Sequence, residues 1–248
     1  MNRWPAEWIQ PDWPVPAGVR ACVTTRQGGT SLPPFDGFNL GTHVHDSPSA
    51  VADNRDLLQH SIGATPAWLE QIHSSVVIKA DPAQCPTADA SWSDVPGMAC
   101  TVLTADCLPA LFCDRRGTRV AAAHAGWRGL AGGVLEATLE ALALPPEQLL
   151  VWLGPAIGPA AFEVGPEVRE AFVATHPAAA SAFVASASPG RYLADLYELA
   201  RVRLNACGVT AVYGGGFCTF RDSRFYSYRR DAVTGRFASL VWLEPAPR

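Results

Sequence analysis

The sequence predicts a mixed α/β (α+β) fold, with a central mixed β-sheet flanked by helices in a layered sandwich. Three observations predict it. Apolar residues make up 48% and charged residues 17% of the 248, enough to bury a large core. Strand-like and helix-like segments mix without strict βαβ alternation, which points to a mixed rather than purely parallel sheet. Neither a linker nor a solenoid repeat divides the chain, so residues 1–248 read as a single domain.

The elements follow in order. The first twenty residues, rich in Trp and Pro, read as a wrap over the domain edge. "VRACVTT" reads as a strand running into a turn at Gly28-Gly29. The segment "TSLPPFDGFNLGTHVHDSP" has no helical period, and Phe35, Phe38 and Leu40 are positioned to anchor it. A helix starts after Ser47 with Val51, Leu57, Leu58 and Ile62 on one side, and Gly63 ends it. "AWLEQIHSSVVIKA", "ACTVLTADCLPALFCD" and "TRVAAAHAG" are strand-like, with "TADASWSDVPG" as a loop between the first two. "LAGGVLEATLEALAL" has helical spacing, closed by Pro145-Pro146, and "QLLVWLGPAIGP" is a buried strand. "PEVREAFVATHP" and "DLYELARVRLNACG" are helices, the second capped by Asp195 and ended by Gly208. "VTAVYGGGFCTF", "RFYSYRRD" and "FASLVWLE" read as late strands.

Composition narrows the function. A formal net charge of −4 gives no basic footprint for nucleic acid. No apolar run reaches bilayer length, and the start lacks the apolar run of a signal peptide; a cytoplasmic location without membrane contact is expected. Seven cysteines, an odd number, argue against a disulfide framework.

Several enzyme signatures are absent: Walker A, a strand–GxGxxG–helix fingerprint, GxSxG, the zinc-deaminase pattern and CxxC pairs. What remains is a scatter of potential ligands at strand ends. His73 lies in "QIHSS", Cys107 in "TADCLP" and His124 in "AAHAGWRG", separated by 34 and 17 residues. Such gaps suit neighbouring strands that converge. Two imidazoles and a thiolate are good zinc ligands, and three protein ligands leave a fourth position open. Ordinary packing of a core histidine and a buried cysteine fits the spacing too. So does a metal-free pair, with Cys107 as nucleophile, His124 as base and Asp106 nearby.

Arginines form a second theme, since their planar fork binds oxyanions in a bidentate way. Arg128, between Gly126 and Gly129, is the best placed; Arg26, Arg55, Arg229 and Arg230 are further candidates. Asn39, His43 and Asp46 in "NLGTHVHD" read as a lid or pocket wall.

Taken together, "RQGGTSLPPFDGFNLGTHVHDSPSAVADNRDLL", "QIHSS", "TADCLPALFCD", "AAAHAGWRGLAGGVLEATLEAL", "WLGPAIGPAAFEVGPEV" and "FYSYRRDAVTGRFASLVWL" resemble the laccase-domain family. Its members carry polyphenol oxidase, purine nucleoside phosphorylase and peptidoglycan editing factor labels. The resemblance implies a zinc site on His73, Cys107 and His124, with copper as the alternative metal. It implies phosphorolysis of adenosine, inosine and methylthioadenosine, with adenosine deamination alongside. On that reading Asp106 is the candidate proton shuttle and His43 a second catalytic candidate. Asn39 and His43 would face the nucleoside, Arg55 and Arg229 would bind phosphate, and Arg128 would join them at the substrate. The expected partners are purine nucleosides and phosphate, around a monomer or small homo-oligomer. One departure stands out: the family reads "HVGD" where this chain has "HVHD", which puts His45 in place of glycine.

Three other functions fit the same residues. Copper-dependent phenol oxidation needs many histidines, and this chain has six. A cell-wall precursor editing hydrolase would use the zinc or the Cys107–His124 pair. A binding protein would use the metal only as a staple.

Overall fold

The structure is a computed structural model that describes residues 4–245. Residues 1–3 of the expected N-terminal wrap, and 246–248, lie outside the described residues. The elements run β1 (Val19–Val23), α1 (Pro48–Ile62), β2 (Thr65–Ala67), β3 (Val77–Lys79), β4 (Ala90–Ser93), β5 (Met98–Thr104), β6 (Leu108–Asp114) and β7 (Val120–Ala125). They continue with α2 (Trp127–Ala131), α3 (Val134–Leu142), β8 (Leu149–Leu153), β9 (Glu163–Val164), α4 (Pro166–Val173), β10 (Phe183–Ala185) and β11 (Tyr192–Ala194). Last come α5 (Leu196–Ala206), β12 (Val212–Gly214), α6 (Tyr228–Asp231) and β13 (Phe237–Leu243).

The class is mixed α/β, and the strands divide over three sheets. The central mixed sheet has six strands in the order β12-β8-β6-β7-β4-β3, with both parallel and antiparallel pairs. A second sheet, β1-β13-β5-β2, packs on one face of it. A small sheet, β10-β11-β9, lies with the helices on the other face.

Side-chain alternation builds these layers. On β6, Leu111 and Cys113 meet the second sheet, while Leu108, Ala110 and Phe112 meet α3 and α5. On β13, Phe237 and Val241 face inward, while Ala238, Leu240 and Trp242 face α1. Strands apolar on both faces are the mark of a sheet covered twice. Phe38 and Leu40 anchor the irregular segment beneath α1. Trp8 and Trp13 bury the N-terminal wrap, which pairs Ile9 with Val23.

Several expectations need correction. Leu57 is 47% exposed, and Asn54 takes the buried position beside Val51 and Leu58. The segment "ACTVLTADCLPALFCD" is two strands in different sheets, joined by a turn in which Asp106 has φ +102°. The stretch "TADASWSDVPG" contains β4, because its small residues pair with β7. "QIHSS" is a loop between β2 and β3 rather than part of a strand. The helix expected over "LAGGVLEATLEALAL" starts earlier, at Trp127, and breaks into α2 and α3 at Gly132-Gly133, where Gly133 takes φ +94°. "RFYSYRRD" alternates like a strand, but the Ser227 side chain accepts from the Arg230 N–H and starts the short helix α6.

Candidate metal centre

Three elements converge at one edge of the two stacked sheets. The β2–β3 loop brings His73, the β5–β6 turn brings Cys107, and the end of β7 brings His124. Their ligand atoms all lie within 4.8 Å of one another. Cys107 Sγ stands 3.7 Å from His73 Nε2. The two imidazoles meet edge to face, with centroids 4.7 Å apart. Tetrahedral coordination at zinc-type bond lengths separates a sulfur and a nitrogen ligand by about 3.5 Å. The donor set and its spacing therefore fit one metal ion, with a position left for another ligand.

Asp89, at the start of β4 and fully buried, organises this set. Its Oδ1 lies 2.8 Å from His124 Nδ1, which leaves Nε2 of that ring as the ligand atom. The same carboxylate accepts the backbone N–H of Ile72, His73 and Ser74, and the Ser74 hydroxyl. It thereby folds the loop in which His73 adopts φ +63°. Gly126 supplies room: a Cβ there would stand 2.8 Å from His73 Cδ2 and 2.9 Å from Cys107 Sγ.

Charges in the set are coupled. Burial opposes ionisation of Cys107, but His124 and His73 outweigh it and bring the thiol down to about 6. Burial likewise disfavours a charged His124, yet Cys107 and Asp89 push it up to about 9. Asp89 is raised by burial and lowered further by His124 and Ser74, ending well below the usual carboxylate range. Both shifts favour a thiolate–imidazolium pair on a buried carboxylate.

A cavity of about 480 Å³ opens over these groups. Of the residues singled out in the sequence, His43, His73, Asp106, Cys107, His124, Arg128 and Arg229 line it. Asn39 and Arg55 do not. Asn39 is fully buried and bonds Gly41, Asp46 and the Arg236 N–H. Arg55 gives Nε and Nη2 to the Leu40 carbonyl and stacks on Trp68. Both build the irregular segment instead of a cavity wall. His45 is exposed and takes φ +68°, a backbone conformation that favours glycine.

Asp106 is anchored at both oxygens, by the Thr219 hydroxyl and the Arg229 N–H, each at 2.6 Å. Burial, then the charges of Arg236, Arg55 and His124, hold His43 below the ordinary histidine value. Sequence reasoning missed Asp89, Thr219 and Arg236. The repeat of "TAD" at 87–89 and 104–106 was the available signal for Asp89. Nothing local marks the other two, since their partners are more than 100 residues away, as for Thr219 with Asp106 and Arg236 with Asn39.

Residues 20–244 match the family model described as multi-copper polyphenol oxidoreductase laccase. The chain belongs to this family. Its relatives in the laccase family include "Purine nucleoside phosphorylase PA4543" of Pseudomonas aeruginosa, 68% identical over 96% of this chain and 98% of that one. "Purine nucleoside phosphorylase YfiH" of Escherichia coli is 54% identical over 95% and 98%. A crystal structure of Neisseria meningitidis protein NMB0706 superimposes with a TM-score of 0.93, at 52% identity, covering 96% of this chain and all (100%) of that one. YlmD from Geobacillus stearothermophilus gives 0.86 at 31% identity, covering 92% and 93%. Against the multi-copper wording of the family description, the described residues of this laccase-family chain contain one three-ligand group. No helix among them is long and apolar enough to cross a membrane.

Proposed function

We propose that this chain is a zinc-dependent purine nucleoside phosphorylase that also deaminates adenosine. The observation that carries the reading is the composition of the cavity. Metal donors and the cationic Arg128, Arg229 and Arg236 line it together, and Trp127, Ile157, Phe162 and Tyr228 offer apolar surface to a base. The names of the relatives support it, because they point to a nucleoside and an inorganic oxyanion as co-substrates.

In phosphorolysis a phosphate oxygen forms a bond to the anomeric carbon while the bond to purine N9 breaks. The proton of hydrogen phosphate ends on the departing base. Aromatic faces orient that base, and cations hold the oxyanion against the sugar, so that orientation supplies much of the rate. A metal held by His73, Cys107 and His124 would supply Lewis acidity at the polar wall. Asp106, on the same wall, is the candidate for moving a proton during deamination of adenosine. The experiment is product analysis of inosine, adenosine and methylthioadenosine with and without phosphate. Base and sugar 1-phosphate that appear only with phosphate support the reading; intact nucleosides overturn it.

A metal-free hydrolase is the second reading, favoured by one observation. Cys107, His124 and Asp89 stand in nucleophile–base–orienter order, with the thiol already lowered to about 6. Hydrolysis of a cell-wall precursor that survives chelation but not thiol alkylation would select it. Copper-dependent phenol oxidation finds less support, given one three-ligand group among the described residues.

A further inference from the structure

We infer that Arg236, with His43 beside it, forms the oxyanion subsite of the cavity and takes the phosphate; the inference rests on the phosphorolysis reading. Two competing cations, Arg229 and Arg55, are already bonded to backbone carbonyls. Arg229 spends both terminal nitrogens on the Ala161 and Glu163 carbonyls. Arg55 gives Nε and Nη2 to the Leu40 carbonyl and stacks on Trp68. Arg128 is exposed and lies over its neighbour Trp127, 4.4 Å from the ring centroid.

Arg236 is different. It is half-buried, lines the cavity, and uses only Nη1, on the Thr234 and Gly235 carbonyls. Its Nε and Nη2 have no acceptor among the described residues, which leaves one edge of the guanidinium open for bidentate binding. The arginine is also seated in advance. Asn39 Oδ1 accepts the Arg236 N–H at 2.8 Å and the Gly41 N–H at 2.9 Å, and Asn39 Nδ2 donates to Asp46. A Cβ on Gly41 would stand 2.9 Å from Arg236 Cγ, so glycine is needed for the side chain to pass. The motif "NLGTH" is thus a clamp that fixes Arg236 and presents His43 on the same wall. Both carboxylate oxygens of Asp106, the nearby acid, are already bonded. No ion pair joins Arg236 to a carboxylate among the described residues, which suits it to a tetrahedral oxyanion.

The test is calorimetric titration of inorganic phosphate into metal-loaded protein, with steady-state kinetics beside it. Arg236→Gln should weaken phosphate binding at least 10-fold and raise the phosphate KM equally, while the nucleoside KM changes less than 3-fold. Adenosine deamination, which consumes water and not phosphate, should persist. Arg236→Lys, which keeps the charge without the fork, should fall between wild type and Gln, and serves if the Gln variant does not fold. Arg128→Gln should weaken phosphate binding less than Arg236→Gln does. Phosphate affinity unchanged in folded Arg236→Gln or Arg236→Lys, or a loss carried by Arg128→Gln instead, overturns the inference. Wild-type protein that binds phosphate through Arg236 without cleaving nucleosides would sink phosphorolysis and leave the subsite standing.

Discussion

Asp89 and His124 are joined twice: the Asp89 carbonyl accepts the His124 N–H at 2.7 Å, and the Asp89 carboxylate holds His124 Nδ1 at 2.8 Å. The same carboxylate binds the His73 N–H at 2.9 Å, so one buried acid sets two of the three ligands. With Nε2 of His124 as the ligand atom, every partner of the carboxylate, the Nδ1–H included, is a donor, and Asn would turn an NH₂ toward some of those donors. Asp89→Asn should therefore lose metal affinity about 10- to 100-fold. Competition with a chromophoric chelator measures it, with circular dichroism to confirm the fold. Unchanged affinity would remove Asp89 from the site.

Metal affinity should depend on pH with a defined sign. Coordination needs thiolate and neutral imidazole. Without a metal, His124 and His73 draw the Cys107 thiol down to about 6, and Cys107 and Asp89 push His124 up to about 9. Between those values the thiolate is present but His124 must surrender a proton. Affinity then rises with pH, about 10-fold per unit, and levels off above the His124 value. Below the Cys107 value it falls more steeply, since two protons compete. Chelator competition across this range checks the slope; a flat profile contradicts the coupled pair.

Gly126→Ala should empty the site without unfolding the chain. The added methyl would stand 2.8 Å from His73 Cδ2 and 2.9 Å from Cys107 Sγ, so the ligand side chains must shift to admit it. Metal content per chain after purification is the readout, and a fully loaded variant would contradict the geometry.

Thr219→Val should destabilise the cavity wall. The buried hydroxyl gives Asp106 a 2.6 Å bond, and a bond to an ionised group is worth roughly 1.5–3 kcal/mol. Urea unfolding should show a loss of that order, and the Arg229 segment held by Asp106 should loosen with it. No change in the midpoint would mean the bond contributes nothing.

The legible parts of the fold were those with local chemistry. Gly63 takes φ +65° and ends α1, and Asp195 caps α5 through the Tyr197 and Glu198 N–H groups, both within a few residues of their partners. β4 was not legible, because small residues in "ADASWS" say strand only once β7 lies alongside. His73 was identified as a ligand candidate while its loop was misread as strand, since the bonds that bend it come from Asp89. Asn39 and Arg55 are legible as polar and cationic candidates, but their partners, Arg236 and Trp68, sit on other segments that the local sequence does not reveal. Residue type alone does not separate a cavity wall from the clamp behind it.

The most direct measurement is the phosphate dependence of inosine cleavage by metal-loaded wild type and Cys107→Ser. Hypoxanthine and ribose 1-phosphate in equal amounts from wild type only when phosphate is present, with the rate lost together with the metal in Cys107→Ser, is the expected result. Cleavage that ignores phosphate, or that continues undiminished in metal-free Cys107→Ser, would contradict a metal-centred phosphorolytic cavity.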